Sequence, residues 1–102
     1  MTNWNELQER AVRWHAARFP ESERGHVMLK ATAELGEVAD AILFEEGQTP
    51  GKASDGVTGE AADVVLCLLI IVGRWSDDDL RAAVDAKLTR LETPGAHKAS
   101  LY

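Results

Sequence analysis

The sequence predicts an all-α fold, a four-helix chain that forms an oligomeric helix bundle. Three observations predict it. Apolar residues recur at helical spacing in four segments, and none of these shows two-residue alternation. Clusters of Gly, Pro and polar residues at 19–25, 46–56, 73–79 and 93–98 separate them. One of the four segments is apolar on every side.

The first helix is expected at about 3–18, with Trp4, Leu7, Ala11 and Trp14 on one stripe. The second is expected at about 26–46 and the third at about 57–74. The fourth is expected at about 77–92, with Ser76 as N-cap and Asp79 in the capping-box position. Leu80, Val84, Leu88 and Leu91 make its apolar face. With 102 residues there is room for one domain, at 1–92, followed by a C-terminal tail at 93–102. In the third helix Val64–Val72 is a run of nine apolar residues, "VVLCLLIIV". A helix apolar all round must be covered on every side, and three short helices of one chain are too few to do so. A second copy is expected to supply the cover, as a homodimer or homotetramer.

Seventeen acidic and 11 basic residues give a net charge of −6. That excludes a generic binder of nucleic acid polymers or anionic membranes, which hold phosphate through Lys and Arg clusters. It leaves room for a phosphate ligand bridged by a divalent cation. The single cysteine, Cys67, allows no internal disulfide and fits a reducing compartment. The polar start "MTNWNELQER" lacks the pattern of a signal peptide. Nine apolar residues also fall short of the ~20 that span a bilayer. The expectation is a cytoplasmic protein with no membrane partner.

Two acidic pairs stand at the edges of apolar helix. Glu34 and Glu37 lie about 60° apart on the second helix, with Lys30 one turn earlier and Val27, Ala31, Leu35, Val38 and Ile42 on the adjoining face. Asp40 is turned further toward solvent. Glu60 and Asp63 repeat the spacing on the third helix, and Cys67, Ile70 and Ile71 continue their stripe. Two such helices side by side converge four carboxylates, whose mutual repulsion calls for a cation. Oxygen ligands without His or Cys favour a hard ion, Mg²⁺ or Mn²⁺.

The order "RFP" (18–20), "LKATAELGEVADAI" (29–42) and "GEAADVVLCLL" (59–69) resembles the MazG-like all-α nucleoside triphosphate pyrophosphohydrolases. Their hallmark is an E-x-x-E pair on one helix and an E-x-x-D pair on the next. Glu34 and Glu37 match the first pair and Glu60 and Asp63 the second, with 22 residues between. Ala33 stands where many members carry a further glutamate. The resemblance covers roughly residues 1–92. It implies a Mg²⁺-dependent hydrolase that converts a nucleoside triphosphate to monophosphate and pyrophosphate, on a helical dimer or dimer of dimers. On that basis Glu37, Glu60 and Asp63 are the expected main ligands, with Glu34 completing the shell or orienting the attacking water.

Cations should assist the pyrophosphate leaving group. Lys30 is placed for this by its stripe. Lys87 and Arg90, late in the fourth helix, match a basic pair common in the resembling family; Lys87 could equally cover apolar surface with its stem. Arg74 reads as a favourable charge at a helix C-terminus. Trp14 and Phe44 are candidates for a base pocket and, alternatively, for core. His26, three residues after Glu23, reads as a surface or helix-start residue. Two other activities fit the same residues: phosphoribosyl-ATP pyrophosphohydrolase, and a non-catalytic helical dimer whose acids bind metal or a partner.

Overall fold

The computed structural model of the chain describes residues 3–48 and 55–95. Of the expected C-terminal tail, residues 96–102 lie outside that range. The described residues are helical with no strand: α1 (Trp4–Arg18), α2 (Arg24–Glu45), α3 (Gly56–Ile71) and α4 (Leu80–Glu92). A π-helical segment, Val72–Ser76, extends α3 without a break.

Local chemistry explains each boundary. Asn3 caps α1, its Oδ1 accepting from the Glu6 N–H at 2.9 Å. Glu45, at the end of α2, accepts from the Val57 N–H at 3.3 Å and so ties the C-terminus of α2 to the N-terminus of α3. The fourth helix starts three residues later than the sequence suggested. Ser76 belongs to the π-helical segment, and Asp79 is the N-cap, its Oδ1 accepting from the Ala82 N–H at 3.1 Å. Between them Asp77 takes a left-handed conformation, φ 50°, and ends the π-helix.

Helices α2 and α3 form an antiparallel pair. Val27 and Ala31 near the start of α2 meet Cys67 and Ile70 late in α3, and Ala11 of α1 closes this small core. The buried stripe of α1 is Ala11 and His15, not the expected Trp4–Leu7–Ala11–Trp14; Trp4 and Trp14 are exposed. The contact of α1 with the α3 extension selects the other face. Gly73 lies so close to α1 that a Cβ there would stand 2.6 Å from Val12 Cγ2.

Arg74 locks this contact. Its guanidinium donates to the carbonyls of Phe19 and Pro20, both at 3.0 Å, and sits 2.8 Å from Nδ1 of His15. Phe19 is the C-cap of α1, so a side chain from the far end of α3 satisfies the terminal carbonyls of another helix. This is more than the charge at the end of its own helix that the sequence suggested.

Among the described residues, helix α4 is held mainly at its start. The Gln8 side chain donates to the Asp78 carbonyl at 2.7 Å and accepts from the Leu80 N–H at 3.2 Å. Beyond that α4 packs little against the other helices and buries no residue, and Val84 and Leu88 of its apolar face are exposed. On α2, Leu29 is 71% and Leu35 60% exposed. The radius of gyration, 16.1 Å, exceeds the ~13 Å of a compact chain near this length.

The continuous helix Gly56–Ser76, 21 residues, is long and apolar enough by length and composition to cross a membrane. The nine-residue count from sequence understated it. Two acids on this helix face α2 and its arginine binds the turn after α1. Each of these charges would be costly in a bilayer.

Two outcomes follow from the packing. Gly73→Ala should cost about 1–3 kcal/mol in denaturant unfolding, because α1 cannot withdraw without losing the Arg74 contacts. His15 has its pKa lowered from 6.5, first by burial and then by Arg74. The folded state therefore disfavours the imidazolium. Stability should be full above pH 6.5 and fall as pH drops below it, and His15→Phe should remove that acid limb.

Candidate functional site

The acids meet because they occupy the packing seam. Along α2 the buried and half-buried positions are Val27, Ala31, Glu34, Glu37, Val38 and Ala41, and all but Glu37 fall on one stripe in alternating steps of four and three. Most of α3 is buried or half-buried, and one of its stripes runs Glu60, Asp63, Cys67, Ile70. Antiparallel packing of the two stripes sets Glu34 opposite Glu60 and Asp63. One carboxylate oxygen from each of the three lies within 4.8 Å of the others.

This reorders the expected ligand set. Glu37 is half-buried but outside the three-acid group. It sits three residues beyond Glu34, about 60° around the helix, and so flanks the seam. Glu34, assigned the supporting part from sequence, is the residue of α2 that joins Glu60 and Asp63. Asp40 is exposed, as expected.

The electrostatics are those of a crowded anion site. Glu60 is 8% exposed, and its Oε1 accepts from the Asp55 N–H at 3.4 Å. Asp63 has its pKa raised, first by desolvation and then by the charge of Glu34. Lys30 pairs with Glu34 at 2.9 Å, and this hydrogen bond is the main cause raising the lysine's own pKa. The Lys30 side chain is 67% exposed, so the pair is weak compensation. Three oxygen donors without nitrogen or sulfur suit a hard divalent cation. Glu34, Glu60 and Asp63 would hold it.

A cavity of about 450 Å³ opens beside the acids. Lys30, Glu34 and Asp63 line one end. The other end is mostly aromatic and apolar, with Trp14, His15, Phe19, Val27 and Ile70, and the lining also includes Ser22 and His26. Phe19 stands edge-on to Trp14 at 5.8 Å and lies 5.4 Å from the His15 ring. Cys67 lies between the two ends, and burial is the main cause pushing its thiol pKa up, which makes it unreactive core.

Of the residues suggested for base and phosphate contacts, Lys30 and Trp14 line this cavity. Phe44, Lys87 and Arg90 do not; all three are exposed, Phe44 near the end of α2 and the other two on α4. His26 is exposed in the first turn of α2, as read from sequence, and also borders the cavity. The sequence reading missed His15 and Phe19. Phe19 lay in the "RFP" already singled out, and His15 is four residues from the buried Ala11.

No protein-family model matches the chain, and neither the curated proteins nor the solved structures contain a match.

Crowding of the acids has a measurable consequence. Asp63→Asn should raise the melting temperature of the metal-free protein, since it removes one charge from the repelling group. It should also abolish the gain in melting temperature that millimolar Mg²⁺ or Mn²⁺ gives the wild type. The sign with pH agrees. A carboxyl whose folded-state pKa is raised favours folding at low pH and loses that contribution as pH climbs through the raised value. Asp63→Asn should flatten that slope, as followed by thermal melts between pH 4 and 7.

Proposed function

We propose that the protein is a nucleoside triphosphate pyrophosphohydrolase dependent on a divalent cation, Mg²⁺ or Mn²⁺. The observation that carries this reading is the joining of Glu34, Glu60 and Asp63 beside a cavity that Glu34 and Asp63 line at one end and aromatic residues line at the other. A nucleotide has the same polarity, with phosphates at one end and a flat base at the other.

The chemistry needs no covalent nucleophile. Water attacks the α-phosphorus, a P–O bond forms, and the bond to the bridging oxygen breaks to release pyrophosphate. When bound, the cation neutralises phosphate charge and lowers the pKa of water. Glu34, Glu60 and Asp63 hold the cation. Glu37, beside the group on the same helix, accepts the proton that the attacking water loses. The Lys30 ammonium, at the acid end of the cavity, donates to the departing pyrophosphate. Trp14 and Phe19 enclose the base.

The same reading includes a homo-oligomer. Leu29 and Leu35 on α2, Leu66 and Leu68 on α3, and Val84 and Leu88 on α4 are exposed in one chain. A second copy covers them, and Lys87 and Arg90 enter the phosphate end only through such an assembly. The cytoplasm supplies both nucleotide and Mg²⁺, and is the proposed location.

A panel of ribo- and deoxyribonucleoside triphosphates, incubated with Mg²⁺ and resolved by ion exchange, tests the activity. Monophosphate and pyrophosphate should appear in equal amounts. Glu60→Gln should lower kcat by about 100-fold or more with unchanged far-ultraviolet circular dichroism. Release of orthophosphate, or turnover indifferent to Glu60→Gln, would contradict the proposal.

A further inference from the structure

One polar group in the cavity has no part in holding phosphate. His15 is 7% exposed, lines the aromatic end, and comes from α1, not from either helix of the acid seam. Its Nδ1 faces the Arg74 guanidinium at 2.8 Å. A guanidinium only donates, so Nδ1 must be the acceptor and Nε2 must carry the proton. The tautomer is thus set by Arg74, which is itself anchored on the carbonyls of Phe19 and Pro20.

The Nε2–H has no hydrogen-bond partner among the described residues. No buried side-chain nitrogen or oxygen among them lacks a partner, so Nε2 keeps some accessible surface, and His15 lines the cavity. The ring is wedged between Phe19 at 5.4 Å and Trp75 at 5.9 Å, the latter edge-on. A neutral donor of fixed tautomer is therefore held beside the aromatic residues of a cavity whose lining also includes Ser22 and His26.

We propose that His15 is the specificity-determining residue of the cavity and selects nucleotides whose base carries a ring carbonyl. The inference rests on the nucleotide reading of the cavity. Phosphate is not the group recognised, because it belongs with Lys30 and the acids at the other end. An exocyclic carbonyl oxygen accepts the Nε2–H bond. Adenine places an amino donor where hypoxanthine has its carbonyl, so two donors oppose each other there and the buried Nε2–H goes unsatisfied. Neutrality of His15 agrees with this, since burial and Arg74 both lower its pKa.

The test is equilibrium binding, by calorimetry with Mg²⁺, of the α,β-methylene triphosphates of inosine, uridine and adenosine, which resist cleavage at the bond in question. Inosine and adenosine analogues have nearly the same size, so they isolate the carbonyl. Wild type should bind the better of the two carbonyl-bearing analogues, and inosine over adenosine, about tenfold more tightly. His15→Phe keeps the aromatic packing and removes the donor, and should bring inosine and adenosine within about twofold. His15→Gln, which keeps an N–H, should retain part of the preference and serves if His15→Phe does not fold. An equal preference in wild type and variant, a wild type that favours adenosine, or no binding of any analogue would overturn the assignment. Turnover of the parent nucleotides is scored separately: selective binding that depends on His15, without pyrophosphate release, would leave this site standing and remove the proposed reaction.

Discussion

The repulsion among Glu34, Glu60 and Asp63 is the constraint around which the rest of the structure is arranged. At separations within 4.8 Å, two ionised carboxylates repel by roughly 3 kcal/mol at an effective dielectric near 20. A seam of leucines would avoid that cost. The α2–α3 pair instead places acids at seam positions and small residues, Ala31 and Cys67, in the turn beside them. The small residues let the helices come close, and closeness is what brings three carboxylates together. A domain of this size has little stability in reserve, so such a seam calls for a ligand that repays it.

The second device is the junction at the far end of α3. Gly73 admits α1 to close contact, Arg74 binds the carbonyls that end α1, and the His15 ring lies between Phe19 and Trp75. The junction fixes the aromatic end of the cavity relative to the acid end, because Arg74, which anchors the end of α1, lies on the same continuous helix, Gly56–Ser76, as Glu60 and Asp63. Distance between the two ends is thereby set by helix rise, not by loop conformation.

Much of this was legible in the sequence. Helix number and order followed from periodicity and from Gly and Pro punctuation. The two acidic pairs stood out because each opened onto an apolar stripe. What the spacing could not show was which member of the first pair faces the partner helix. Glu34 and Glu37 differ by only about 60°, and the choice depends on the rotation at which α2 packs against α3. The stripe of α1 was misjudged for a similar reason. Trp4, Leu7 and Trp14 are the more apolar choice, but the close approach at Gly73 turns Ala11 and His15 inward. The third helix was expected to end at about 74, whereas it continues as π-helix through Ser76, which therefore could not serve as a cap. Phe44, Lys87 and Arg90 were chosen by type and stripe, and a single chain does not bring them to the cavity.

The central claim is that the seam acids exist to hold a divalent cation. Titration of the protein with Mn²⁺, followed by the electron paramagnetic resonance signal of the free ion, tests it directly. The account predicts that the free-ion signal is suppressed until the sites fill, that Mg²⁺ restores it by competition, and that the double variant Glu34→Gln, Asp63→Asn, still folded, leaves it unsuppressed. A free-ion signal that tracks total Mn²⁺ from the first addition to the folded wild type would contradict it.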